Sequence, residues 1–129
     1  MKGLKYGIQI INANDAINDE EMKSFYLSSD NDKLSGHIAE FIKADMLILL
    51  TNVEGVLDED GRIIRIYNKK SKIKLGDKSS LGTGGMLSKV NVGLNITKKG
   101  VKAIIANANS KDVIIKCLTE KTIGTTFED

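Results

Sequence analysis

The chain has 129 residues, 41% hydrophobic and 28% charged, with a formal net charge of +2, which suits one globular domain and excludes a disordered tract. Arg62 and Arg65 are the only arginines, aromatics make up 5% and tryptophan is missing, so bidentate base reading and base stacking lack their residues and nucleic-acid binding is disfavoured. The longest apolar run, Met46-Leu-Ile-Leu-Leu50, is far short of the ~20 residues that cross a bilayer, and no secretory leader pattern opens the chain, so no membrane partner is expected.

Tyr6-Gly-Ile-Gln-Ile-Ile11 predicts a buried strand closed by the turn-forming Asn12-Ala-Asn-Asp15, and residues 22–27 predict a short strand of a flap or hairpin. Asp30-Asn-Asp32 precedes Leu34, Ile38, Phe41 and Ile42, which fall on one helical face and predict a helix ending near Ala44. Met46 to Leu50 predicts a parallel strand covered on both faces. A loop at 51–55, a turn at Asp58-Glu-Asp-Gly61, an alternating stretch around Ile64 and Ile66 and an exposed basic loop at 69–78 follow. Residues 86–99 predict a helix with Val90, Leu94 and Thr97 on one face, stopped by Gly100. A buried strand at 101–106, a short helix at 110–118 capped by Ser110, and a last strand at 122–127 complete the chain. Strand–helix alternation without linker or repeat predicts an α/β, three-layer sandwich with a mainly parallel sheet, spanning residues 1–129 as a single domain.

Ligands of such sheets bind beyond the carboxyl ends of the strands, where the loops at 12–15, 51–55 and 107–109 and the break Gly82-Thr-Gly-Gly85 are expected to meet. Glycines opening a helix offer amides and a dipole to a phosphate, although a flexible turn needs the same residues. Lys89 tips the balance, because a cation in the first turns opposes the dipole unless an anion lies beside it. Asp30-Asn-Asp32 is either a helix cap alone or a cap with polar groups to spare for a ligand. Asp58-Glu-Asp-Gly61 lacks calcium-loop spacing, and Asn95-Ile-Thr97 is a glycosylation pattern on a helix and so a coincidence. His37 reads as structural or surface, and Cys117, the single cysteine, as a buried thiol in a reducing, cytoplasmic compartment. Neither a His–Cys metal cluster nor a Ser–His–Asp set is discernible. Phosphoryl transfer to a carboxylate needs neither, since that nucleophile is already ionised near neutral pH and the protein's task is to align and neutralise.

Five motifs, taken together, carry a resemblance: Ile10-Ile-Asn-Ala-Asn-Asp-Ala16, Asp30-Asn-Asp-Lys-Leu-Ser35, Ala44-Asp-Met-Leu-Ile-Leu-Leu-Thr-Asn-Val-Glu-Gly55, Leu81-Gly-Thr-Gly-Gly-Met-Leu-Ser-Lys89 and Ile123-Gly-Thr-Thr-Phe127. In this order they resemble the glutamate 5-kinases of the amino-acid kinase family, over nearly the whole chain, which is similar to the C-terminal half of their kinase domain. The resemblance implies ATP-dependent phosphorylation of the L-glutamate side-chain carboxylate, the first step of proline synthesis, with Mg²⁺ accompanying ATP. It implies Asn12, Asp15 and Asn31 at the amino-acid substrate, and Asp32 as the acid that organises phosphate-contacting lysines. It places Thr51, Asn52, Thr83, Gly84, Gly85, Met86, Leu87, Ser88 and Lys89 at the nucleotide, with Lys89 on the transferred phosphoryl group. Ala13 stands where the family has Glu, Ser29 where it has Gly, Asn52 where it has Asp, and the connection from Gly55 to Gly82 is shorter. The expected partners are a complementing N-terminal half or further copies in a homo-oligomer. The alternative is a truncated, non-catalytic nucleotide-binding or interaction module.

Overall fold

A computed structural model describes residues 7–11, 31–73, 85–120 and 123–129. The expected flap at 22–27, the residues Asn12, Asp15, Asp30, Thr83 and Gly84, and the second half of the basic loop lie outside the described residues.

Helix α1 (Asn31–Phe41) leads through a tight turn into strand β1 (Met46–Thr51), followed by the short β2 (Ile66–Tyr67). Helix α2 (Gly85–Thr97), strand β3 (Lys102–Asn107), helix α3 (Val113–Thr119) and strand β4 (Thr125–Phe127) complete the order. The four strands form one sheet in the order β1-β3-β4-β2. β1 pairs β3 and β2 pairs β4 in parallel, whereas β3 pairs β4 antiparallel. The sheet is therefore mixed, its parallel part being the six-residue β1–β3 ladder from Met46↔Lys102 to Thr51↔Asn107.

The pleat of β3 sorts its side chains to two faces. Ala103 and Ile105 join a core with Leu49, Val56, Val90, Ile96 and Phe127 beneath α1 and α2. Ile104 and Ala106 face the other way, onto Val113 and Cys117 of α3, so helices cover both faces and the sandwich has three layers. Tyr67 and Phe127 lie 5.3 Å apart between centroids with their rings tilted by 45°, and extend the first core under the short strands.

Both long helices end on the same hydrogen-bond pattern. Gly100, at φ +84°, donates to Thr97 at 2.9 Å while Val101 donates to Ile96 at 3.2 Å, the closure expected of a C′ glycine. In α1 the left-handed position falls on Lys43 at φ 53°, with Lys43 donating to Glu40 at 3.1 Å and Ala44 to Ala39 at 2.9 Å.

Four expectations are corrected. Ile8 and Ile10 are 95% and 93% exposed, so the segment at 7–11 is not a buried strand; a strand needs a paired neighbour, and among the described residues none of the sheet's ladders includes it. Phe41 is 83% exposed, and α1 buries Leu34 and Ala39. This helix has α2 as well as the sheet for a neighbour, and the small Ala39 suits that close flank. For the same reason α2 buries Val92, Gly93 and Ile96 beside Val90, a wider face than the one read from sequence. Ser110 does not cap α3: the helix opens after Asp112, which is left-handed at φ 57° and makes no side-chain cap bond. The main chain takes up the turn, with Val113 N–H donating to the Ser110 carbonyl at 3.2 Å.

Candidate active site

Each long helix returns through a short turn to the strand after it, so α1 and α2 begin at the edge of the sheet where β1 and β3 end. This common rim collects the chemistry. Asn31 and Asp32 open α1, Gly85 to Lys89 open α2, Thr51 and Asn52 leave β1, and Asn107 closes β3.

The Lys89 ammonium lies 2.8 Å from Asp32 Oδ2, with side chains only 17% and 18% exposed. The anion that a lysine so early in a helix calls for is therefore supplied by the chain itself, from the first turn of the neighbouring helix. Asp32 also anchors its own turn, its carbonyl accepting the Ser35 hydroxyl at 2.7 Å. The two helices are held at both ends, because an ion pair between Glu40 and Lys99 closes the opposite end.

The second wall is made of loops. Ala108 N–H donates to the Thr51 carbonyl at 2.8 Å, and the Thr51 hydroxyl reaches the Asn52 side-chain oxygen at 3.5 Å, the long limit of a hydrogen bond. The Asn107 amide donates to the Glu54 carboxylate at 2.6 Å. Of the sequence-derived set, Lys89 and Asp32 are in contact, and Thr51 and Asn52 stand on the loop wall of the same rim. Met86 packs against the core, while Leu87 and Ser88 line an open groove of about 690 Å³ between α1 and α2. Sequence reading does not single out Glu54; the signal for it is that the loops at 51–55 and 107–109 leave adjacent parallel strands and must meet. No group of three or more His, Cys, Asp or Glu among the described residues is placed to hold a metal ion. No helix among them is long and apolar enough to cross a membrane.

Comparison with known proteins identifies the family. The profile of the amino acid kinase family matches residues 4–107, more than half of the sequence, and the chain belongs to that family. The glutamate 5-kinase of Thermotoga maritima is 36% identical over 121 residues, covering 94% of this chain and 33% of the relative. That of Clostridium perfringens is 33% identical over 130 residues, covering 93% of this chain and 48% of the relative. The chain thus spans a third to a half of the length of these relatives. An isopentenyl phosphate kinase structure superposes with a TM-score of 0.56 at 24% identity, over 77% of this chain and 37% of that one. A second, from T. acidophilum, gives 0.56 at 20% identity, covering 77% and 39%. These likenesses show that the fold is the one shared by amino acid kinases.

Proposed function

We propose that this chain is the nucleotide-side part of a glutamate 5-kinase, transferring the γ-phosphoryl group of ATP to the side-chain carboxylate of L-glutamate. The observation that carries this reading is the Lys89–Asp32 pair at the start of two helices, within a chain one-third identical to glutamate 5-kinases. In the reaction a carboxylate oxygen of glutamate attacks the γ-phosphorus, the bond to the bridging oxygen breaks, and ADP leaves with the electron pair. No proton has to be removed, since the carboxylate is ionised near neutral pH. Lys89 lies against the equatorial phosphoryl oxygens and offsets their charge as the transfer proceeds. Asp32 fixes the ammonium so that no reorientation is needed in the transition state.

Thr51, Asn52 and residues 83–89 hold the nucleotide, while Asn12, Asp15 and Asn31 select the amino acid. Mg²⁺ arrives with ATP as part of the substrate, and such ions keep phosphate oxygens and water as most of their ligands. The catalytic unit also includes a complementing N-terminal part of a kinase domain or further copies of the chain, and it works in the cytoplasm. Calorimetric titration with Mg·ATP tests the core of the reading. Binding is expected for the chain and should weaken about tenfold or more in Lys89→Ala, the loss of one charge-assisted contact. No binding, or equal binding by the variant, would refute it.

A further inference from the structure

The loop at 51–56 carries Thr51 and Asn52, and its two ends are tied down by the main chain. Thr51 accepts from Ala108 N–H at 2.8 Å, and Val56 N–H donates to the fully buried Thr125 hydroxyl at 2.9 Å. A side chain at Gly55 would meet Thr125 Oγ1 at 2.7 Å, so that end of the loop lies directly on the sheet. Between these anchors the exposed tip is tied, among the described residues, by the 2.6 Å bond from the Asn107 side-chain amide to the Glu54 carboxylate. Asn107 cannot turn its amide round, because its oxygen accepts the Asn109 N–H at 2.9 Å. The nitrogen is thereby committed to Glu54, and the loop after β3 holds the loop after β1.

We propose that Asn107 is a positioning residue for the nucleotide, acting through Glu54 to hold the tip of the loop that carries Thr51 and Asn52; this rests on the nucleotide-binding reading above. An exposed bond of this kind adds little to global stability. It matters because a loop already ordered before the ligand arrives loses less freedom on binding.

Reversing the polarity of the bond separates this role from a structural one. Asn107→Asp still accepts from Asn109 but sets a carboxylate against Glu54. Adding Glu54→Gln restores a donor–acceptor pair with the direction reversed. Mg·ATP affinity is read by calorimetry, amide exchange at residues 52–54 in the free protein, and global stability by urea unfolding. Asn107→Asp is expected to weaken Mg·ATP binding about tenfold, the scale of one hydrogen bond to a charged group. It should also speed exchange at 52–54 and leave the urea midpoint nearly unchanged, and the double variant should recover both losses. Glu54→Ala breaks the same tie from the other side and serves if Asn107→Asp does not fold. Unchanged binding and exchange in the single variants, or a double variant no better than Asn107→Asp, would overturn the proposal. If the unaltered chain binds no Mg·ATP, the nucleotide reading fails by itself, and exchange at 52–54 still decides whether Asn107 holds the loop.

Discussion

Lys89 is the fifth residue of α2, where its charge works against the helix dipole, whereas Asp32 in the first turn of α1 works with one. This asymmetry gives the pair a measurable signature. Removing Asp32 strands a cation that is four-fifths buried at the wrong end of a helix; removing Lys89 leaves an anion at a favourable one. Urea unfolding should therefore show Asp32→Ala costing about 2–3 kcal/mol and Lys89→Ala about 1–2 kcal/mol, between the exposed and fully buried ranges for ion pairs. The double variant should lose less than the sum by about 1 kcal/mol, and strict additivity would mean that the 2.8 Å contact carries no coupling. Cys117 offers a second residue-scale test. Burial pushes its thiol above the ordinary value, an effect that the nearby Lys102 charge partly offsets. The raised value means that the unfolded chain releases this proton first, so the associated stability is complete below about pH 8.5 and declines as pH rises beyond it. The urea midpoint should fall more steeply with pH between about 8.5 and 9.5 in the parent than in Cys117→Ala, the lysines titrating higher.

Helix α1 shows what elements owe to context. Its end is left-handed at Lys43, a conformation that costs a side-chain-bearing residue about 1–2 kcal/mol and glycine nothing sterically. Lys43→Gly should recover about 0.5–1 kcal/mol after the greater freedom of the unfolded chain is counted, raising the thermal midpoint by about 2–4 °C. A lower midpoint would mean that Lys43 makes a compensating contact. Where an element's signal was local, the sequence was enough to locate it: the apolar runs of β1 and β3, the acidic first turn of α1, and Gly100 closing α2. Where the outcome depends on a neighbour, the sequence carried no sign of it. Phe41 lies on the apolar stripe by spacing, yet the flank that α1 presents to α2 is taken by Ala39 and by Gly36, whose missing side chain admits Val92. The antiparallel entry of β4 hangs on Gly124, which is at φ +61° and so close to β3 that a Cβ would fall 2.0 Å from the Ile105 carbonyl. Spacing did make Lys89 conspicuous for opposing its helix. That its counter-ion is Asp32, 57 residues away in sequence, follows only from how α1 and α2 pack.

At the scale of the whole molecule the sheet of the described residues ends on β1, whose ladder among them is with β3 alone. Leu50 on that strand is 41% exposed and Phe41 of the helix above it 83% exposed. An edge with apolar side chains exposed near it is the kind of surface that further polypeptide can cover, and the chain spans a third to a half of the length of the glutamate 5-kinases it matches. Resemblance to those enzymes implies a second phosphate-binding lysine and a glutamate-holding loop in the complementing part, leaving Lys89 as the cation that this chain contributes. One electrostatic stabiliser is worth about 3–4 kcal/mol, and alignment of the reactants about 7 kcal/mol or more. Losing one and part of the other removes at least ~10⁵-fold from a turnover that in kinases is about 1–100 s⁻¹. The purified chain alone, supplied with Mg·ATP, L-glutamate and hydroxylamine, should therefore form no detectable glutamyl hydroxamate, while still binding nucleotide. Adding the N-terminal part of a glutamate 5-kinase domain as a separate polypeptide should restore the product, and Lys89→Ala should lower that restored rate about 10²-fold or more at equal protein concentration. Full turnover by the chain alone would show that its own rim supplies both the charge and the alignment.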